Sequence, residues 1–278
     1  MDWDYSVSSK RKLLDVKLRE LIHYRDLIIM FFVRDFTLSY KQTVLGPLWY
    51  VLNPLFSTLV YAFVFGGIAG IGTGGIPVLL FYYGGNMLWT FFTNCLNGTS
   101  NVFVANAGVF GKVYFPRLTV PIANTFSALA KMLIQFVMLM AFYVYFVYSG
   151  APARPSVSAL LFPLMLLWIA ALGTGFGMIF SALTTKYRDL NLVLNLVLSL
   201  AMYVTPVIYP LSRVPEQFRF FFYINPVSAP MELFRIWFYG IGEVPLEMSL
   251  ISLGTTALVL LAGLMLFTYT ERTSMDVV

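Results

Sequence analysis

Six stretches of this chain run for about twenty residues or more with almost no charge: residues 44–66, 76–103, 118–148, 157–183, 190–209 and 248–269. Lys131, in the third, is the single Asp, Glu, Lys or Arg among them. About 20 apolar residues carry a helix across the hydrocarbon of a bilayer, and a helix satisfies its own backbone hydrogen bonds where water is absent. A transmembrane barrel would show shorter segments of about ten alternating residues. The pattern predicts an all-α integral membrane protein with six transmembrane helices. The composition agrees: 11% of the residues are charged, against about 25% in soluble domains.

Lys and Arg orient the spans. Lys10, Arg11, Lys12, Lys17, Arg19, Arg25, Arg34 and Lys41 precede the first span, Lys112 and Arg117 join the second to the third, Lys186 and Arg188 join the fourth to the fifth, and Arg272 follows the sixth. The other side has Arg154, Arg213, Arg219 and Arg235. Both termini are therefore expected in the cytoplasm. The net charge of +5 is accounted for by this asymmetry beside anionic lipid headgroups, so no nucleic-acid partner is implied. No cleavable signal peptide is read at the N-terminus, and the first span is expected to serve as the insertion signal.

Two regions flank or interrupt the spans. Residues 1–43 form an N-terminal segment separate from the transmembrane domain of residues 44–278. Leu14, Leu18, Leu21 and Ile22 share one helical face there, with Lys10, Lys12, Lys17 and Arg19 around it, which predicts an amphipathic helix in the cytoplasmic interface or against a partner. Residues 211–240, on the outer side, combine Pro215, Pro226 and Pro230 with the run Phe218, Phe220, Phe221, Phe222 and Tyr223. Proline suits the first turn of a helix, and two short re-entrant helices are expected between spans five and six.

Most chemistries lack their residues. "GIGTGG" at 70–75 matches a dinucleotide pattern, yet it joins two spans with no strand before it, and a phosphate-binding G-x-x-x-x-G-K-[ST] is absent. His23 is the one histidine, the acids are scattered, and Cys95 is the one cysteine, which argues against hydrolysis, group transfer and a thiolate metal site. No span holds an Asp or Glu, which disfavours an ion-coupled carrier. Lys131 reads either as a contact for an anionic substrate group or as a structural partner for a neighbouring charge or carbonyl. "GTGFG" at 173–177 has the spacing of close helix packing.

Three loops are diagnostic together: "KVYFPRLTVPIAN" at 112–124, "KYRDLN" at 186–191 and "TPVIYPLSRVPEQFRFFFYINPVSAPMELFR" at 205–235. They resemble the permease subunits of ABC-2 type polysaccharide exporters, the family of O-antigen, teichoic-acid and capsule permeases. "RDFTLSYKQTVLGPLWYVLNPL" at 34–55 is similar to the start of that family's first span. The resemblance implies a homodimeric permease of the bacterial inner membrane that works with two copies of an ABC ATPase. It also implies a glycan carried on undecaprenyl pyrophosphate, no cofactor in this chain, and ATP with Mg in the partner. Lys112, Tyr114, Phe115, Pro116, Arg117, Lys186, Arg188 and Asp189 are then expected to contact the ATPase. Trp49, Tyr50, Tyr61, Lys131, Tyr203 and Tyr209 are expected to line the channel, and Glu216, Phe220, Asn225, Pro226, Glu232 and Arg235 to form an outer gate. A small-lipid or drug exporter, a membrane-embedded transferase and a secondary carrier are the other readings.

Overall fold

The computed structural model describes residues 18–38, 41, 43–187 and 189–273. The expected face around Lys10, Leu14 and Lys17 lies outside the described residues, as does Arg188. No strand occurs among the described residues. In chain order the helices are α1 (Leu18–His23), α2 (Arg25–Leu38), α3 (Trp49–Tyr61), α4 (Val78–Ser100), α5 (Val102–Ala105), α6 (Ala107–Phe110), α7 (Thr119–Tyr148), α8 (Phe162–Lys186), α9 (Leu190–Ala201), α10 (Glu216–Ile224), α11 (Ser228–Tyr239) and α12 (Leu246–Thr273).

Four helical segments are long and apolar enough to cross a membrane: Gly46–Ile68, which contains α3, Thr119–Tyr148, Val157–Lys186, which contains α8, and Leu246–Thr273. The second expected span, α4, has the length at 23 residues, but Asn86, Thr90, Asn94 and Asn97 dilute its apolar character. It tolerates them because it is the centre of the bundle, packed against α3, α7 and α8, with Leu80, Phe81, Tyr82, Tyr83, Met87 and Leu88 fully buried. Side chains tie it to its neighbours: the Asn86 amide donates to the Pro54 carbonyl of α3 at 3.3 Å, and Asn124 of α7 donates to the Gly98 carbonyl of α4.

The fifth expected span, 190–209, is shorter than the sequence suggests. Its apolar helix runs Leu190–Val204, and Thr205 turns extended at φ −111°, ψ 143°. A residue before proline is pushed out of the helical region, and Pro206 and Pro210 also lack an N–H to donate. The expected short helices follow as α10, which begins directly after Pro215, and α11, which begins after Pro226 and closes on Gly240 at φ +72°.

The non-helical chain between α9 and α10 is held by two charged side chains of α11. Arg235 and Glu232 form an ion pair at 2.5 Å with their side chains 2% and 1% exposed. Arg235 also donates to the carbonyls of Val207 at 3.2 Å and Tyr209 at 3.3 Å. Glu232 accepts the Leu211 N–H at 3.2 Å. The guanidinium lies over the Phe81 ring of α4 at 4.1 Å, and Gly85 makes room for the same strand of chain, since a Cβ there would sit 2.6 Å from the Val207 oxygen.

Glycines set the distance between the long helices. A Cβ on Gly173 or Gly177 of α8 would meet α4, at 2.8 Å from the Phe92 oxygen and 2.7 Å from the Leu96 oxygen, whereas one on Gly175 would be 3.0 Å from the Leu260 Cα of α12. The "GTGFG" stretch thus faces both neighbours, as expected of small residues between membrane helices. Gly175→Ala should destabilise the chain by about 1–3 kcal/mol through overpacking, whereas Gly254→Ala, which has open space, should leave the melting temperature in detergent unchanged. Removing one partner of a buried ion pair costs about 3–5 kcal/mol. Arg235→Met and Glu232→Leu should each lower that melting temperature more than Gly175→Ala does.

Candidate functional site

The two basic loops that the sequence singles out meet at one end of the bundle. Their roots are tied by two side-chain bonds: the Thr184 hydroxyl donates to the Ser100 carbonyl at 2.8 Å, and the Asn191 amide donates to the Asn101 side chain. Both tie the ends of α8 and α9 to the end of α4. Lys112, Val113 and Tyr114 are exposed on the first loop; Lys186, Tyr187 and Asp189 are exposed on the second.

The first loop does not present its whole motif. Phe115 is buried, with Phe31 of α2 at a centroid distance of 5.7 Å and Phe110 at 5.6 Å. Arg117 is 6% exposed. Its backbone N–H donates to the Glu271 carboxylate and its Nη1 to the Glu271 carbonyl, both at 3.3 Å, and its guanidinium lies 5.1 Å from the Phe110 ring centre. Burial pulls the Arg117 pKa down, and the Glu271 charge opposes that shift. The expected contact surface is thereby corrected: Phe115 and Arg117 point inward, because an apolar ring and a half-desolvated cation find partners on α2, α6 and α12. Pro116, partly exposed between them, accepts the Thr119 N–H at 3.0 Å at the start of α7.

A small core supports this end, in which Leu21, Phe31, Val102, Phe103, Leu118, Met178 and Phe267 pack together. Phe103 and Phe267 are 4.6 Å apart between ring centres. Leu21 therefore contributes an inward residue of α1, whereas Ile22 is exposed. Glu271 was not singled out by sequence, since its partner lies 154 positions away and no local pattern links them.

The expected channel residues fall in two groups. Trp49 and Tyr50 open α3, where the Lys131 ammonium lies 5.5 Å from the Tyr50 ring centre and feels the charge of Asp35. Tyr61, Tyr203 and Tyr209 gather toward the other end. The Tyr61 hydroxyl is 3.6 Å from the Met202 sulfur, and the Tyr209 hydroxyl donates to the Tyr203 carbonyl. Tyr203 and Tyr209 line a cavity of 640 Å³ together with the turn at residues 69–72, Arg213 and the rings of α10. The sequence reading had passed over Arg213 and treated that turn as a plain hairpin.

The expected gate residues divide as well. Glu216 and Phe220 are exposed. Glu232 and Arg235 are the buried pair described above. Asn225 donates to the Val204 carbonyl at 3.1 Å and to the Thr205 hydroxyl at 2.8 Å, and the Pro226 carbonyl accepts from Ser252 of α12. Glu232 and Arg235 are therefore internal, and the half-buried Asn225 and Pro226 fasten the chain between α10 and α11 to the end of the α9 helix and to α12. Among the described residues no three His, Cys, Asp or Glu side chains cluster as a metal site would require.

The comparisons with known proteins cover this whole arrangement. Two O-antigen export system permease proteins from Klebsiella pneumoniae are similar to it: one is 28% identical over 91% of this chain and 96% of the relative, the other 30% identical over 87% and 91%. A polysialic acid transport protein from Escherichia coli is 24% identical over 73% of this chain and 78% of the relative. The ABC-2 type transporter family matches residues 26–239, from α2 through the two basic loops to the end of α11. The chain is a multi-pass membrane protein of the ABC-2 type transporter family.

Proposed function

We propose that this chain is the permease subunit of an ATP-driven exporter that carries lipid-linked polysaccharide, most specifically an O-antigen, across the bacterial inner membrane. The observation that carries this reading is the near full-length similarity to O-antigen export permeases at 28–30% identity. In this reading α4 and the α9 helix complete six spans, α10 and α11 re-enter from the outer side, and both termini are cytoplasmic. Two copies form the channel, and two copies of an ABC ATPase supply ATP hydrolysis with Mg. This chain binds no cofactor of its own. The similarity to a polysialic acid transport protein supports a second reading, export of a capsule-type glycan by the same mechanism. Restoring O-antigen, but not capsule, to a permease-deleted host decides between the two; restoring neither would sink both.

The coupling surface in this reading is Lys112 to Tyr114 together with Lys186, Tyr187 and Asp189. Those side chains are exposed, and their loops are tied to the same helix end. An exposed ion pair contributes about 0.2–1 kcal/mol, so the combined variant Lys112→Glu/Lys186→Glu should weaken ATPase co-purification by up to about tenfold. Its melting temperature should stay at the wild-type value. Unchanged co-purification and export by that variant would remove the loops from the interface.

Arg117 acts differently, as a brace between the first loop and α12. Arg117→Gln removes the charged donor to the Glu271 carbonyl and should cost about 1.5–3 kcal/mol in thermal unfolding. An unchanged melting temperature would dissolve the brace.

A further inference from the structure

The 640 Å³ cavity is bounded by the turn at residues 69–72 that follows the first span, by Tyr203 and Val204 at the end of the α9 helix, and by α10 with its lead-in Arg213 to Pro215. Its size lies within the range of about 300–1,000 Å³ typical of small-molecule sites. Rings and aliphatic groups make most of the wall: Tyr203, Tyr209, Phe218, Phe221 and Phe222, with Ile71 and Val214. One cation stands in it. The Arg213 guanidinium rests on Gly72, where a Cβ would be 2.7 Å from Nη2, and among the described residues no carboxylate pairs with it. The neighbouring Arg219 is engaged, donating through Nε to the Val214 carbonyl at 3.1 Å.

These features select the ligand. A sugar needs many hydrogen-bonding groups, and the pocket has few, because the Tyr209 hydroxyl is already given to the Tyr203 carbonyl. An apolar body with a single anionic group fits better: hydrocarbon against the rings and a phosphate on the arginine fork, which grips phosphate oxygens through charge-assisted hydrogen bonds. The position suits a bilayer lipid. The pocket lies just past the end of a membrane-length helix, and α10 exposes Phe218, Phe220, Phe221 and Ile224, the aromatic and cationic mixture that settles at headgroup depth.

We propose that this pocket is a specific site for an anionic phospholipid of the surrounding bilayer, with its phosphate on Arg213 and an acyl chain along Phe218 and Phe221. Such a lipid fastens α10 to the turn after the first span. The inference goes beyond the export reading and depends on the membrane placement of the chain, not on its cargo.

Native mass spectrometry of the full-length chain in detergent, supplied with phosphatidylglycerol and phosphatidylethanolamine, tests it. The wild-type chain should retain one phosphatidylglycerol about tenfold or more tightly than Arg213→Gln does, as a charge-assisted contact of about 1.5–3 kcal/mol allows, and should hold zwitterionic phosphatidylethanolamine less well because its ammonium offsets the phosphate charge. Arg213→Lys should keep part of that affinity. Arg219→Gln removes the same charge from the same helix end and should retain the lipid. Equal retention by Arg213→Gln and wild type, or equal loss in Arg219→Gln, overturns the site. Displacement of phosphatidylglycerol by an equal mole fraction of farnesyl phosphate also overturns it, by assigning the pocket to an isoprenoid phosphate. Glycan export is no readout here, so an export-competent chain that retains no lipid refutes this site and leaves the export reading intact.

Discussion

The buried pair of Glu232 and Arg235 is the constraint on which the chain between α9 and α11 depends. Once Pro206 and Pro210 break the helix that begins with α9, the carbonyls of Val207 and Tyr209 and the N–H of Leu211 lose their intrahelical partners. In a membrane-embedded chain no water is at hand to replace them, and each unmet group is costly. Arg235 satisfies the two carbonyls and Glu232 the N–H, while the pair neutralises itself. Two charges that would each be very unfavourable alone thereby hold a buried irregular segment, and the Phe81 ring of the central helix fixes where that segment lies.

The long helices obey a different rule. Lipid tails are as apolar as leucine, so burial alone gives membrane helices little reason to associate, and close packing must supply the attraction. Gly173, Gly175 and Gly177 supply it by bringing α8 against α4 on one side and α12 on the other. With α4 central in this way, Asn86 finds the Pro54 carbonyl and Thr99 the Cys95 carbonyl of its own helix instead of hydrocarbon. The relative polarity of α4 and its central position are one fact seen twice.

At the basic end the same economy of polar groups sorts a contiguous motif into two functions. Lys112 and Tyr114 face outward and are available to a partner. Phe115 and Arg117, only a few positions on, turn into a small core with Phe31, Phe103 and Phe267, and Arg117 is clasped by the last turn of α12. A force applied to the outward residues therefore meets α2, α7 and α12 together. The exposed part of the loop and the internal brace are adjacent in sequence but differ in what each substitution is expected to disturb.

Much of this was legible in the order of residues. Charge-free runs of membrane length admit only helices in lipid, and Pro215 and Pro226 announce the short helices α10 and α11. The sequence overestimated the fifth span because 190–209 is apolar throughout and only Pro206 marks the break. Nor did the sequence reveal that Arg117, expected at the ATPase, and Glu232 and Arg235, expected in an outer gate, have buried side chains, since burial depends on distant segments. Composition and local spacing, then, determined the all-α membrane class, because that follows from hydration energy and helix geometry within one segment, while the loop motifs carried the family resemblance. The partners 117 with 271, 81 with 235 and 72 with 213 were decided by the tertiary structure alone, because contacts between distant segments depend on how the helices pack, and no local pattern encodes that.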